Sequence, residues 1–211
     1  DYAVTSNHVH LLVEDTGRPE TICRSIQLIA GRTAQEFNQR KRRKGAFWQD
    51  RYHATAVQTG KHLRQCIVYI DMNMVRAGAV SHPCQWEYSG YKEIQNPRKR
   101  YRLIDRKRLS ALVGSEDSPA FSKAHASWID EALRVQNSTR EARWTESVAV
   151  GSKSFVEIIK EKLGFLARSR KSRETESAWE LREPSFPYGI DFHAENGGLR
   201  QNNRYFWEAI P

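Results

Sequence analysis

Strand and helix patterns alternate through the first part of the chain, and this order constrains the fold more than any other feature. Residues 2–13 and 46–58 are rich in β-branched and apolar side chains, which is typical of strands. A helix pattern follows each of them, at 20–40 and at 61–77, where apolar residues recur every three or four positions. A strand–helix–strand–helix order predicts an α+β or α/β layer domain.

A basic connector and two more helix patterns follow. Lys and Arg are concentrated between residues 98 and 108. Ser118-Pro119 is a serine cap with proline at the first helical position, and Ser154 to Glu157 is a capping box. We therefore divide the chain into a domain at 1–92, a basic linker at 93–115 and a mainly helical C-terminal extension at 116–211.

The charge balance indicates a polyanionic partner. The 211 residues include 34 Lys and Arg against 25 Asp and Glu, which gives a net charge of +9. Such a balance favours nucleic acid or an acidic membrane surface. The mean hydropathy is −0.73 and the apolar runs are short, so an integral membrane protein is excluded. Three cysteines without metal-type spacing fit the reducing cytosol.

Two histidines on the first strand form one candidate site. His8 and His10 alternate with Val9 and Leu11, so both imidazoles lie on one face of the strand. Two imidazoles on one face can share a divalent metal ion. Taken alone, the pattern is more typical of two half-exposed histidines without a ligand.

The helix at 61–77 carries the second candidate. Its turn of about 100° per residue groups the apolar positions on one face, namely Leu63, Ile67, Ile70 and Met74. A polar stripe beside them contains Tyr69, Asn73 and Arg76. A phenol can attack a phosphate, an amide oxygen can bind a metal, and a guanidinium can hold a phosphate. On its own, such a stripe is more often a tyrosine at a helix–sheet boundary with its hydroxyl in water.

The two candidates occur together with a third segment, and the combination is specific. The three motifs are Asn7-His8-Val9-His10, Phe47-Trp48-Gln49-Asp50-Arg51-Tyr52-His53 and Tyr69-Ile70-Asp71-Met72-Asn73-Met74-Val75-Arg76-Ala77. Together they resemble the REP-associated tyrosine transposases, which are single-tyrosine HUH endonucleases of the IS200-like superfamily. The resemblance covers residues 1 to about 92.

This resemblance implies an HUH-type antiparallel sheet with helices packed on it, a ferredoxin-like core. It also implies a strand and a helix before the histidine strand, and we expect these to be missing from the chain. A sheet without them has an uncovered edge, so we expect aggregation or pairing through that edge as a homodimer. Met74 stands where the family usually has proline and keeps the apolar face, so we expect little effect there.

The resemblance further implies that Tyr69 is the nucleophile and that His8, His10 and Asn73 bind Mg²⁺ or Mn²⁺. The implied enzyme is a bacterial cytoplasmic transposase of REP elements that nicks and rejoins single-stranded or hairpin DNA through a 5′-phosphotyrosine. We expect further DNA contacts from a set of cations, namely Arg40, Lys41, Arg42, Arg43, Lys44 and Arg76. Two alternatives are a non-catalytic DNA-binding remnant and a cytosolic metal-binding protein whose histidines serve structure.

Overall fold

The chain begins with a two-stranded antiparallel hairpin. The computed structural model describes residues 1–49, 51–115, 118–135 and 141–183. β1 (Tyr2–Val4) pairs with β2 (Val9–Leu11), so the single strand predicted over 2–13 is two strands joined by a turn. Thr5 holds the turn, because its hydroxyl donates to the carbonyl of His8 and accepts from the backbone N–H of the same residue.

The helix predicted after the first strand is confirmed. α1 runs over Pro19–Arg40 and ends where the cationic run begins. It packs on the segment that follows it: the rings of Phe37 and Phe47 lie 4.7 Å apart, and Nε1 of Trp48 donates to the carbonyl of Ala30. Aromatic side chains of this segment are therefore used to cover α1.

The strand predicted over 46–58 is wrong for most of its length. Only β3 (Ala56–Val57) is a strand. The preceding residues bond through side chains instead of a backbone ladder: the hydroxyl of Thr55 and Nε2 of His53 both lie within 3 Å of the carbonyl oxygen of Ser147. This segment is held by distant residues, which a local pattern does not reveal.

β3 belongs to a second sheet whose other strands come from the C-terminal half. These are β4 (Ser147–Gly151), β5 (Lys171–Glu174) and β6 (Trp179–Arg182). The order is β3-β4-β6-β5, with β3 parallel to β4 and the other pairs antiparallel. The α+β class is confirmed, and the extension adds three strands that the sequence did not predict.

The helix predicted over 61–77 is present and is divided at Met72 into α2 (Lys61–Asp71) and α3 (Asn73–Arg76). The backbone N–H of Arg76 still bonds to the carbonyl of Met72, so the helical path continues across the division. The predicted core face is confirmed in α2, where its apolar positions are buried, namely Leu63, Ile67 and Ile70.

Five further helices complete the described part of the chain, and the two predicted in the extension are confirmed. The helices are α4 (Tyr91–Gln95), α5 (Arg106–Leu112), α6 (Ser118–Val135), α7 (Arg143–Glu146) and α8 (Lys153–Leu163). The cap of α8 is the hydroxyl of Ser152, which accepts from the N–H of Phe155, instead of Ser154.

The stretch predicted as a basic linker is anchored in the core. Ile104 and Leu109 are buried with Ile67 of α2 and Phe121 of α6 in one cluster. Its cations are mostly exposed around these apolar anchors. The extension therefore packs directly against the helix that carries the candidate nucleophile.

Candidate active site

The β1–β2 hairpin places His8 and His10 side by side. Their ring centroids are 5.0 Å apart and the rings are nearly perpendicular. Nδ1 of His8 lies 2.8 Å from Oδ1 of Asn7, an acceptor, so Nδ1–H donates and the lone pair is on Nε2. His8 is exposed, and its Nε2 is the nitrogen that it can offer to a metal ion.

The first turn of α3 brings Asn73 to His10. Nδ2 of Asn73 donates to Nε2 of His10 at 3.0 Å, so the lone pair of His10 points at this amide. Oδ1 of Asn73 is buried and has no hydrogen-bond partner among the described residues. Rotating the amide by half a turn would aim Oδ1 at the same place. Two imidazoles and an orphaned amide oxygen fit a divalent cation by donor type.

A metal site made only of His, Cys, Asp and Glu side chains is not present in the described part of the chain. Within residues 1–49, 51–115, 118–135 and 141–183, no three His, Cys, Asp or Glu side chains are grouped to hold a metal ion. Any metal at this hairpin would need the amide of Asn73 as its third protein ligand.

Tyr69 lies between His10 and Arg76. The ring of Tyr69 is 5.8 Å from that of His10, centroid to centroid. Cζ of Arg76 lies 4.1 Å from the centre of the Tyr69 ring, and Nη2 of Arg76 donates to the carbonyl of Tyr69. Burial lowers the pKa of Arg76, while Tyr69 and Glu141 oppose this effect. The guanidinium thus lies against the ring of the candidate nucleophile.

Tyr69 is buried, with 4% of its surface exposed. Taken alone, the helix pattern favoured a position at a helix–sheet boundary, with the Tyr69 hydroxyl in water, so the observed burial differs from that expectation. Its hydrophobic cluster includes Trp144, Val150 and Ala178 from the C-terminal half, and the Trp144 and Tyr69 ring centroids are 6.2 Å apart. Sequence reasoning missed Trp144, because no local pattern connects it with Tyr69.

A polar network holds Trp144 in place. Nε1 of Trp144 donates to Oε2 of Glu141 at 3.1 Å, and Arg143 donates to the same carboxylate. Cζ of Arg143 also lies 5.1 Å from the Trp144 ring centre, and its Nη1 donates to the hydroxyl of Ser177. The ring that covers Tyr69 is therefore fixed from several sides.

Asp71 lies between Tyr69 and Asn73 in the sequence and forms a buried pair with His125 of α6. Nε2 of Gln95 donates to Nδ1 of His125, so Nε2–H of His125 donates to Oδ2 of Asp71 at 2.8 Å. Burial raises the pKa of Asp71 to about 8 and lowers the pKa of His125 to about 4. The pair ties α6 to α2 where the site residues are presented.

The predicted cationic run lies at the C-terminal end of α1 and is exposed. The contacts of Arg43 are local: its side chain contacts the ring of Phe37 and the carbonyl of Ala46, and its backbone N–H donates to the carbonyl of Asn38. Within the described ranges, no hydrogen bond, ion pair or ring contact joins the run to His8, Tyr69 or Asn73. Of the predicted DNA-binding cations, Arg76 lies against the Tyr69 ring.

Comparison with known proteins gives one match. Residues 1–73 match the family model described as "Transposase IS200 like". The match shows that this part of the chain is similar to IS200-like transposases, and it covers 73 of the 211 residues. The resemblance predicted from the motifs is confirmed for this stretch, which contains all four candidate catalytic and metal-binding side chains, namely His8, His10, Tyr69 and Asn73.

The IS200-like match indicates a transposase role in DNA processing. No curated protein and no solved structure matches the chain. Among the described residues, no helix is both long enough and apolar enough to cross a bilayer. Of the two polyanionic partners that the charge balance favoured, the IS200-like match supports nucleic acid.

Proposed function

We propose that this chain nicks and rejoins single-stranded hairpin DNA in the bacterial cytoplasm, as a transposase that uses Tyr69 as its nucleophile. The observation that carries the proposal is the grouping of His8, His10, Tyr69 and Asn73 in one place within the family-matched residues. A surface hairpin and a separate helix have no need to bring an imidazole pair, an amide and a phenol together for folding alone.

The proposed reaction conserves the energy of the phosphodiester bond. The phenolic oxygen of Tyr69 attacks phosphorus, and the bond from phosphorus to the 3′ oxygen breaks. The phenol loses its proton and the leaving 3′ oxygen gains one, so the products are a 5′-phosphotyrosine and a free 3′-hydroxyl. Attack by a 3′-hydroxyl on the phosphotyrosine reverses these steps and joins DNA without ATP.

In this proposal Nε2 of His8, Nε2 of His10 and Oδ1 of Asn73 would hold Mg²⁺ or Mn²⁺. Such an ion withdraws charge from the scissile phosphate and stabilises the transition state. Mn²⁺ suits imidazole ligands better than Mg²⁺, which prefers oxygen. Arg76, placed against the Tyr69 ring, would hold a phosphate oxygen beside the attacking phenol.

The burial of Tyr69 sets a requirement on this mechanism. A phosphate must reach the phenolic oxygen, but Tyr69 is buried and the Trp144 ring packs beside the Tyr69 ring. The proposed mechanism therefore includes a displacement of Trp144 when the substrate binds. The same burial favours a second candidate, a DNA-binding protein of this family that keeps the site but does not cleave.

A denaturing gel tests the proposal and separates the two candidates. The full chain is incubated with Mn²⁺ and a hairpin oligonucleotide labelled at its 3′ end, so that an adduct on the 5′ phosphate carries the label. We expect a labelled protein band with the wild type and with Tyr88→Phe, a matched control at an exposed tyrosine. We expect no band with Tyr69→Phe. DNA binding without any adduct would favour the second candidate.

A further inference from the structure

The turn that follows α8 presents two large apolar side chains to solvent. Gly164–Ala167 forms a 3-10 turn. Within it, Phe165 is 81% exposed and Leu166 is 69% exposed. Adjacent apolar side chains with this exposure are typical of a contact surface. They belong to the extension, to which neither the motifs nor the family match assigns a role.

Three cations surround this turn. Arg168, Lys171 and Arg173 are exposed, and none of them makes an ion pair with another residue in the described part of the chain. Arg170 differs, because it pairs with Glu183 at 3.1 Å. We call the set of exposed residues the extension tip, which consists of Phe165, Leu166, Arg168, Lys171 and Arg173.

The position of β5 arranges two of these cations in a row. β5 is one of the two edge strands of its sheet. The hydroxyl of Ser172 donates to Glu157 of α8, so Ser172 faces α8. Strand alternation then places Lys171 and Arg173 on the opposite side, about 7 Å apart. Two cations at this spacing on an open edge match a chain of phosphates.

A groove of about 650 Å³ runs between α8 and the turn. Its lining includes three residues of the extension tip, namely Phe165, Arg168 and Lys171, and it also includes Lys160, Glu157 and Glu161. One of these carboxylates is occupied by Ser172. The groove is thus an open, mixed-charge surface with an aromatic ring at its margin, which suits a flexible chain better than a small ligand.

We propose that the extension tip binds single-stranded DNA outside the active site. Phe165 stacks on a base, and Arg168, Lys171 and Arg173 contact phosphates. An aromatic side chain beside a row of cations is the arrangement by which proteins hold single strands without reading their sequence. The inference goes beyond the proposed function, because binding here requires no cleavage.

The C-terminal sheet separates the extension tip from the candidate active site. β5 lies two strand positions from β4, whose Val150 belongs to the cluster around Tyr69. Two strand spacings are roughly 10 Å. A DNA strand that is bound in the active site must therefore continue past the scissile phosphate before it reaches Phe165. Short oligonucleotides that fill only the active site should not sense the extension tip.

Fluorescence anisotropy with the full chain tests this proposal. The probes are a hairpin without a tail and the same hairpin with a single-stranded tail of about 20 nucleotides on each side. We expect Phe165→Leu to weaken binding of the tailed probe roughly 5- to 10-fold, since a stacked base is lost. Phe165→Trp should bind as the wild type does. Leu166→Ala is the matched control at the neighbouring exposed residue, and it should stay within about twofold.

The salt dependence tests the phosphate contacts. Each phosphate contact on a single strand contributes about 0.7 to the slope of log affinity against log salt. The double variant Lys171→Gln/Arg173→Gln should therefore lower the slope by about 1.4 for the tailed probe and leave it unchanged for the tailless hairpin. An unchanged slope with the tailed probe would overturn the assignment.

Two further outcomes would also overturn the proposal. If Leu166→Ala weakens tailed-probe binding as much as Phe165→Leu, the turn acts as an apolar contact and not as a stacking platform. If both variants lose binding to phosphatidylserine vesicles while DNA binding is unchanged, the extension tip is a membrane contact. The proposed function is contradicted by a different result, namely an adduct that still forms with Tyr69→Phe. That result would not change the difference in binding between the tailed and the tailless probe.

Discussion

Trp144 packs against Tyr69, with 6.2 Å between the ring centroids and a 40° angle between the rings. The two residues lie far apart in the sequence, and only Tyr69 falls within the family-matched residues. Both are buried. The C-terminal half of the chain therefore supplies one wall around the candidate nucleophile, and its stability and the stability of the site are linked.

Replacing Trp144 tests this linkage. Trp144→Ala should lower the free energy of unfolding by about 3–5 kcal/mol, since it removes a large buried ring and leaves a cavity. Trp144→Phe should lower the free energy of unfolding by less, because phenylalanine keeps most of the ring volume. Urea unfolding followed by circular dichroism measures both. Two separate transitions in the wild type would contradict a site shared between the two halves.

DNA binding should loosen the segment that covers Tyr69. We expect faster amide hydrogen exchange at Arg143 to Glu146 when Tyr69→Phe protein binds hairpin DNA, because Trp144 has to leave the ring for a phosphate to approach. The inactive variant keeps the complex free of covalent product. Stronger protection of these amides in the complex would show that DNA reaches the site by another path.

Local periodicity predicted the helices and the site residues that they carry. The apolar face of α2 follows from positions three and four apart, and Leu63, Ile67 and Ile70 are buried accordingly. The same spacing placed Tyr69 beside Asn73. The alternation of His8 and His10 likewise predicted that their imidazoles are neighbours, and their centroids are 5.0 Å apart. These features depend on residues within one or two turns of each other.

Features that depend on distant pairing could not be read in this way. β3 has two residues and exists because it pairs with Ala149 and Val150 of β4. A two-residue strand has no periodicity of its own. The burial of Tyr69 by Trp144 is similar, since a helical pattern gives the direction of a side chain and not the identity of what covers it.

Removing one imidazole should abolish cleavage and leave DNA binding nearly intact. We expect His8→Ala and His10→Ala each to reduce adduct formation at least 100-fold with Mn²⁺ present, while the dissociation constant for hairpin DNA changes less than about threefold, because affinity comes mainly from phosphate contacts. His82→Ala is a control, since Nδ1 of His82 accepts from the N–H of Cys84 outside the site.

The metal can be tested on the same gel. Wild-type protein treated with a chelator should form no adduct, and added Mn²⁺ should restore it. Asn73→Asp keeps an oxygen ligand and should retain activity that Asn73→Ala loses. Equal loss of cleavage and of DNA binding in the histidine variants would assign the histidines to folding instead.

The Asp71–His125 pair should make stability fall as the pH rises above neutrality. Asp71 has a pKa of about 8 in the folded chain and about 3.9 when unfolded, so the folded state holds an extra proton in that range. His125 has a pKa of about 4 when folded and about 6.5 when unfolded, so the unfolded state holds an extra proton between those values. The effects of the two residues on the free energy of unfolding cancel from pH 4 to 6.5. Between pH 6.5 and 8 only Asp71 changes this free energy.

Thermal and urea unfolding across this range measure the effect and its sign. The wild type should lose about 2 kcal/mol of stability between pH 6.5 and 8, since each unit is worth about 1.4 kcal/mol. Asp71→Asn keeps an acceptor for Nε2–H of His125 but cannot titrate. Its stability should be flat from pH 6.5 to 8 and should instead fall as the pH drops from 6.5 to 4, where unfolded His125 takes up a proton. Parallel pH profiles for Asp71→Asn and the wild type would show that the Asp71–His125 pair does not hold an extra proton in the folded chain, which contradicts this prediction.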